Sequence, residues 1–189
     1  GVYYPYTLIT NGLSSITEQV FSSILSSFGN LLAKGTKEDV FNVYKKVYFL
    51  NHLIFSFFTV SLFCLVEPFI KFIWMGPNFL FPIDTVLLIT VNFYMLGMRQ
   101  SITMVKNSAG LYRPDRYFAL LEAAINIFLS LSLVECIGIN GVLISNIFSS
   151  LLIPFWTQPY IVYKNVFKRS VMSYYKKYFV YMLVTLFSG

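Results

Sequence analysis

Long apolar runs separated by short polar breaks constrain this chain more than any other feature of its sequence. A hydrocarbon core about 30 Å thick takes roughly 20 apolar residues per helical crossing, and the runs are of that order. The first covers Tyr4 to about Leu32. The second runs from about Tyr48 to Val66, after an amphipathic approach through Val40, Val43, Tyr44 and Val47, and is expected to stop at Glu67-Pro68. Phe69 to Met75, closed by Gly76-Pro77, is too short to cross and carries Trp74, so it reads as an interfacial helix in the aromatic belt. The third run goes from Pro82 to about Met104, the fourth from Tyr117 to Val134, and the fifth from Ile139 to Val162, where Pro154 and Pro159 are expected to kink the helix. A basic stretch, Lys164 to Lys177, precedes a sixth run, Tyr178 to Phe187, about half as long as a crossing requires. The expected fold is therefore all-α: a polytopic transmembrane bundle of five full spans, a truncated sixth and a short interfacial helix.

The basic residues support that count. Thirteen of the 14 Lys and Arg fall in alternate breaks or beside them, and only Lys71 lies in the others. Such alternation follows the positive-inside rule, placing the basic connections in the cytoplasm and the starting end of span one outside. The net charge of +6 is then explained by topology and anionic lipid headgroups, with no nucleic-acid partner. Charged residues make up only 12% of the chain, against about 25% in a water-soluble domain. No basic segment precedes an apolar stretch at Gly1 as in a signal peptide. The two ends together suggest the interior of a longer membrane protein, with residues 1–189 forming a single transmembrane domain.

Three spans carry polar stripes. In span one, Asn11, Ser15, Glu18, Ser22, Ser26 and Asn30 recur at steps of three or four and share one helix face. An ionised Glu18 facing lipid at mid-span would cost about 2.5 kcal/mol or more, so this face must meet protein or water. It is either a helix-packing interface with Glu18 neutral or paired, or a wall of a hydrated cavity. Span three carries Asn92, Arg99, Thr103 and Lys106 on steps of seven, four and three. Arg99 either snorkels to the cytoplasmic interface or faces inward, where its guanidinium fork suits phosphate. Span four has Glu122, Asn126 and Ser130 on one face. Glu122 pairs with Arg116 or a neighbouring helix, or else lines a path. Arg113 and Arg116 read first as topology determinants.

Other chemistry is sparse. Cys64 and Cys136 have no second ligand at metal spacing, and His52, the only histidine, has no carboxylate or cysteine beside it. No phosphate loop or nucleophile elbow is present. An enzyme, a resident metal and a cofactor are not expected.

A series of segments resembles the polysaccharide-transporter or O-antigen flippase family, within the multidrug, oligosaccharidyl-lipid and polysaccharide exporter superfamily. The series is Asn107-Ser-Ala-Gly-Leu-Tyr-Arg-Pro-Asp-Arg-Tyr117, Glu122-Ala-Ala-Ile-Asn126-Ile-Phe-Leu-Ser130, Gly138-Ile-Asn-Gly141-Val-Leu-Ile-Ser145 and Pro159-Tyr-Ile-Val-Tyr-Lys164. Gly1-Val-Tyr-Tyr-Pro-Tyr6, the Gly29-Asn30 pair and Pro68-Phe-Ile-Lys-Phe-Ile-Trp74-Met-Gly76 are similar to its pattern too, while Ser145-Asn146 stands where members tend to have Gly-Thr. The resemblance implies two helical lobes around a central cavity, this chain forming part of the second lobe and the first being a missing N-terminal partner. It implies a flippase of the bacterial cytoplasmic (inner) membrane that carries undecaprenyl-diphosphate-linked oligosaccharide by alternating access. Arg99, Lys106 and Arg116 would be the cationic lining by residue type, joined on the polar stripes by Glu18, Asn92, Glu122 and Asn126. Two alternatives remain. An organic-cation extruder of the same superfamily would need acidic cavity residues, and a non-transporting scaffold subunit would use the stripes only for packing.

Overall fold

A computed structural model describes residues 3–74, 76 and 80–188. Among the described residues the chain is all-helical: α1 (Tyr3–Lys34), α2 (Lys37–Phe69), α3 (Ile83–Ser108), α4 (Arg116–Ile137), α5 (Ile139–Leu152), α6 (Pro154–Val162) and α7 (Met172–Ser188). Among the described residues three helical stretches are long and apolar enough to cross a membrane: Lys37–Trp74, Arg116–Ile137 and Ile139–Phe167. With 32 and 26 residues, α1 and α3 are also long enough. Their polar stripes are what set them apart in composition.

Local chemistry fixes most boundaries. Gly35 N–H bonds back to Leu31 O at 2.7 Å to close α1. Thr36 then caps α2: Asp39 N–H donates to Thr36 Oγ1 at 3.2 Å, and Thr36 N–H donates to Asp39 Oδ2 at 3.3 Å. This reciprocal box satisfies two otherwise orphaned donors. The helix therefore begins at Lys37, and the amphipathic approach is its first turns.

Two sequence expectations change here. Pro68 does not stop α2; the helix passes through it and continues as a π-helical turn, Ile70–Trp74. Ile70 N–H bonds back to Val66 O and Glu67 O, carrying the helix past Pro68, and Gly76, at φ +86°, closes the π turn by donating to Ile70 O at 3.0 Å. The expected separate interfacial helix is thus the end of α2. Its Met75 and Pro77 lie outside the described residues. The fifth run is broken rather than bent. Ile153, at φ −114° and ψ −76°, separates α5 from α6, because Pro154 has no N–H to continue the ladder and opens a new helix instead.

α3 is the centre of the bundle, burying fourteen residues, with α1, α2, α5 and α6 packed around it. Against α2 the approach is close: a Cβ added to Gly97 would lie 2.0 Å from the Phe55 ring. Asn51 of α2 uses that proximity to donate to Gly97 O at 3.2 Å and Met98 O at 3.3 Å. α4 and α5 form a tight hairpin through Gly138, at φ +56°, and a Cβ on Gly141 would meet the Leu133 backbone at 2.6 Å. Aromatic rings close the basic end, where Tyr44 stacks on Tyr48 and Phe41 meets Tyr163 and Phe167 edge-on. There Arg169 pairs with Glu38, joining the approach to α7 with the start of α2. At the opposite end Tyr6 of α1 accepts a bond from Phe81 N–H at 3.1 Å, and Thr85 of α3 donates to Asn140 of α5 at 2.8 Å.

Candidate functional site

The polar residues of α1 and α3 face each other across a cleft of about 460 Å³. From α1 come Ser14, Glu18 and Ser22; from α3 come Arg99, Gln100, Thr103 and Asn107. Apolar walls are supplied by Phe21, Leu25, Leu96, Met104 and by Phe55 of α2. Helical spacing explains the set. Ser14, Glu18 and Ser22 are four apart on α1, and Arg99, Thr103 and Asn107 are four apart on α3, so each trio forms one row down its helix. The rest of the α1 stripe, Asn11, Ser15, Ser26 and Asn30, is exposed. Close packing of α1 on α3 below the cleft is marked by Ser108 Oγ, which donates to Leu25 O at 3.3 Å.

Arg99 is held from its other side. Its Nη1 donates to Glu122 Oε1 of α4 at 3.0 Å, and Ser150 Oγ of α5 donates to the same oxygen at 3.4 Å. Both charged side chains retain about a quarter of their exposure, 28% and 23%. Of the alternatives for Glu122, the neighbouring helix is its partner, not Arg116. Arg116 lies exposed at the start of α4 with its guanidinium 4.5 Å from the Tyr117 ring centre.

The remaining candidate residues pack helices together. Asn92 Nδ2 donates to Leu143 O at 3.0 Å, tying α3 to α5. Asn126 Nδ2 donates to Asn146 Oδ1 at 2.7 Å and Ser149 Oγ at 3.1 Å, tying α4 to α5. Lys106 is buried against Asp115 at the end of the turn leading into α4, each side chain only 10% exposed. Of the seven candidates, Glu18 and Arg99 therefore line the cleft, Glu122 holds Arg99, and Asn92, Lys106, Arg116 and Asn126 lie elsewhere. Gln100, Asn107 and Ser14 were missed, although each lies three or four residues from a residue already placed on a stripe.

The charge pattern of the cleft is specific. Arg99 is neutralised by Glu122, and none of the three ion pairs among the described residues involves Glu18. Hydroxyl and amide groups make up the rest of the polar lining; of these, Thr103 Oγ1 donates to Gln158 Oε1 of α6 at 3.1 Å and Ser22 Oγ to Gln19 O at 2.9 Å. No protein-family model, curated protein or solved structure matches this chain.

Proposed function

We propose that this chain is part of the second lobe of a flippase in the bacterial cytoplasmic membrane, moving a diphosphate-linked oligosaccharide lipid between leaflets by alternating access. In this reading α1 and α3 cross the bilayer with the three apolar stretches, giving the five full spans, and α7 belongs to the sixth. The observation that carries it is the cleft: Glu18 and Arg99, from two different helices, share one space with Gln100, Thr103 and Asn107. A sugar-bearing diphosphate cannot cross hydrocarbon unaided, and a hydrogen-bonding groove beside the bilayer removes that desolvation cost while the lipid tail stays outside. The family resemblance of the sequence supplies the substrate class.

The test is genetic and chemical together. Deleting the gene is expected to abolish surface polysaccharide, and Arg99→Ala to reproduce that loss with the protein still present in the membrane. Wild-type glycan levels in the Arg99→Ala strain would remove Arg99 from the mechanism.

A second reading, extrusion of organic cations, is favoured by one feature: Glu18 is the cleft charge without an ion-pair partner among the described residues. It requires Glu18→Gln to abolish efflux of a cationic dye, with surface glycan unaffected.

A further inference from the structure

Arg99 borders two spaces at once. On one side is the α1/α3 cleft; on the other is a cavity of about 20 Å³ between α3, α5, α6 and α7, lined by Ser150, Tyr174 and Tyr178 among others. A space of that size holds about one water molecule. Arg99 therefore lines both, and Glu122 of α4 holds its guanidinium.

The position of α4 gives that ion pair a second significance. α4 buries no residue and packs on α5, with only slight contact to α6. Its side-chain polar links to α3 are Arg99 with Glu122, and, through the preceding turn, Lys106 with Asp115. These differ in exposure. Lys106 and Asp115 are each 10% exposed, whereas Arg99, which lines the cleft, and Glu122 remain about a quarter exposed. A deeply buried pair cannot exchange partners without stranding a charge, while a partly solvated one can.

We propose that Glu122 is a tethered competitor for Arg99, and that an anionic headgroup entering the cleft displaces it and so frees α4 from α3 beyond Asp115, which stays paired with Lys106. This rests on the anionic-lipid reading above and adds the device that sets its selectivity. A carboxylate fixed beside the guanidinium is present at high effective concentration. A singly charged ligand brings Arg99 no more charge than the tethered carboxylate does, whereas a diphosphate brings several negative charges together. Glu122 thus discriminates against monoanions such as acetate. Once displaced it keeps Ser150 as a partner, so it is not left bare.

The experiment measures binding of inorganic pyrophosphate to the purified protein in lipid nanodiscs by calorimetry. Glu122→Gln, which preserves shape and the Ser150 bond, is expected to tighten pyrophosphate binding about tenfold, the equivalent of one modest ion pair, and to admit acetate. Arg99→Gln is expected to lose binding, and Arg99→Lys to retain part of it, showing that the loss is not one of folding. Spin labels introduced by Lys46→Cys on α2 and Leu120→Cys on α4, in a Cys64→Ser, Cys136→Ser background, are expected to move apart on adding pyrophosphate, and to be apart without it in Glu122→Gln.

Equal affinity in wild type and Glu122→Gln, with binding still lost in Arg99→Gln, overturns the competition while leaving the transport reading in place. An unchanged label distance despite tighter binding overturns the release of α4. Absence of pyrophosphate binding in wild type and Glu122→Gln alike overturns the anionic-substrate reading, and the competitor falls with it.

Discussion

α3 and α4 are both long enough to cross a bilayer, yet α3 buries fourteen residues and α4 none. The more polar of the two is the one inside. α3 carries Asn92, Arg99, Gln100, Thr103 and Lys106, while α4 presents Leu120, Ile127, Phe128 and Leu131 outward. In water the apolar helix would be drawn to the core. In lipid, tails solvate Phe128 as well as a neighbouring helix would, so no such force acts; buried positions go instead to helices whose polar groups need partners and whose small residues permit close approach. Gly97 against Phe55 is the close approach, and Asn51 and Asn92 are the partners.

Substitutions can break that comparison in graded steps. The largest effect is expected where α3 is tied to the approach to α4: Lys106→Met strands Asp115 at 10% exposure, costing about 3–5 kcal/mol, read as loss of thermal stability in detergent. The paired replacement Lys106→Met with Asp115→Leu should recover most of it. Next comes Gly97→Val, whose added carbons enter the Phe55 ring; a cost of about 1–3 kcal/mol is expected from overpacking, and faster backbone hydrogen exchange across the α2–α3 contact would report it. Asn92→Leu and Asn126→Leu each remove one interhelical tie. Both should cost about 0.6 kcal/mol, measured by equilibrium unfolding in mixed micelles, so α4's tie is expected to be worth no less than α3's. The smallest effect is Phe128→Ala on α4, 72% exposed: within about 0.5 kcal/mol in lipid. A loss of several kcal/mol there would mean that protein, not lipid, covers α4, and the contrast between the helices would fail.

Much of this architecture is legible in the sequence because its signals are local. Apolar run length fixes α1, α3 and α4 to within a few residues, and Gly138 marks the hairpin. The stripes are legible too, since helical spacing alone aligns Glu18 with Ser22 and Arg99 with Thr103. Choice of partner is not. Arg99 with Glu122 spans 23 positions, and Asn51 with Gly97 spans 46; each depends on helix rotation, which no single run records. Pro68 and Pro154 show the same limit. Both are helix-interrupting residues by sequence, yet α2 passes through one into a π turn and the other breaks the helix at Ile153.

The α4–α5 hairpin has a consequence for biogenesis. Asn126 finds Asn146 and Ser149 within the hairpin itself, and Gly141 seats on Leu133 across the turn. Those polar groups are satisfied before any other helix arrives, and both stretches are apolar enough to partition into lipid. On the proposed topology this pair leaves the insertion machinery with its internal ties made, while Glu122 and Asn140 still await Arg99 and Thr85 of α3. α3, carrying Arg99 and Lys106, enters hydrocarbon at a cost that its own residues do not offset, so it is retained until α2 offers Asn51 and α4 offers Glu122. On that topology the order of assembly is not the order of synthesis: the helix at the centre of the finished bundle is committed to lipid only after the hairpin that follows it.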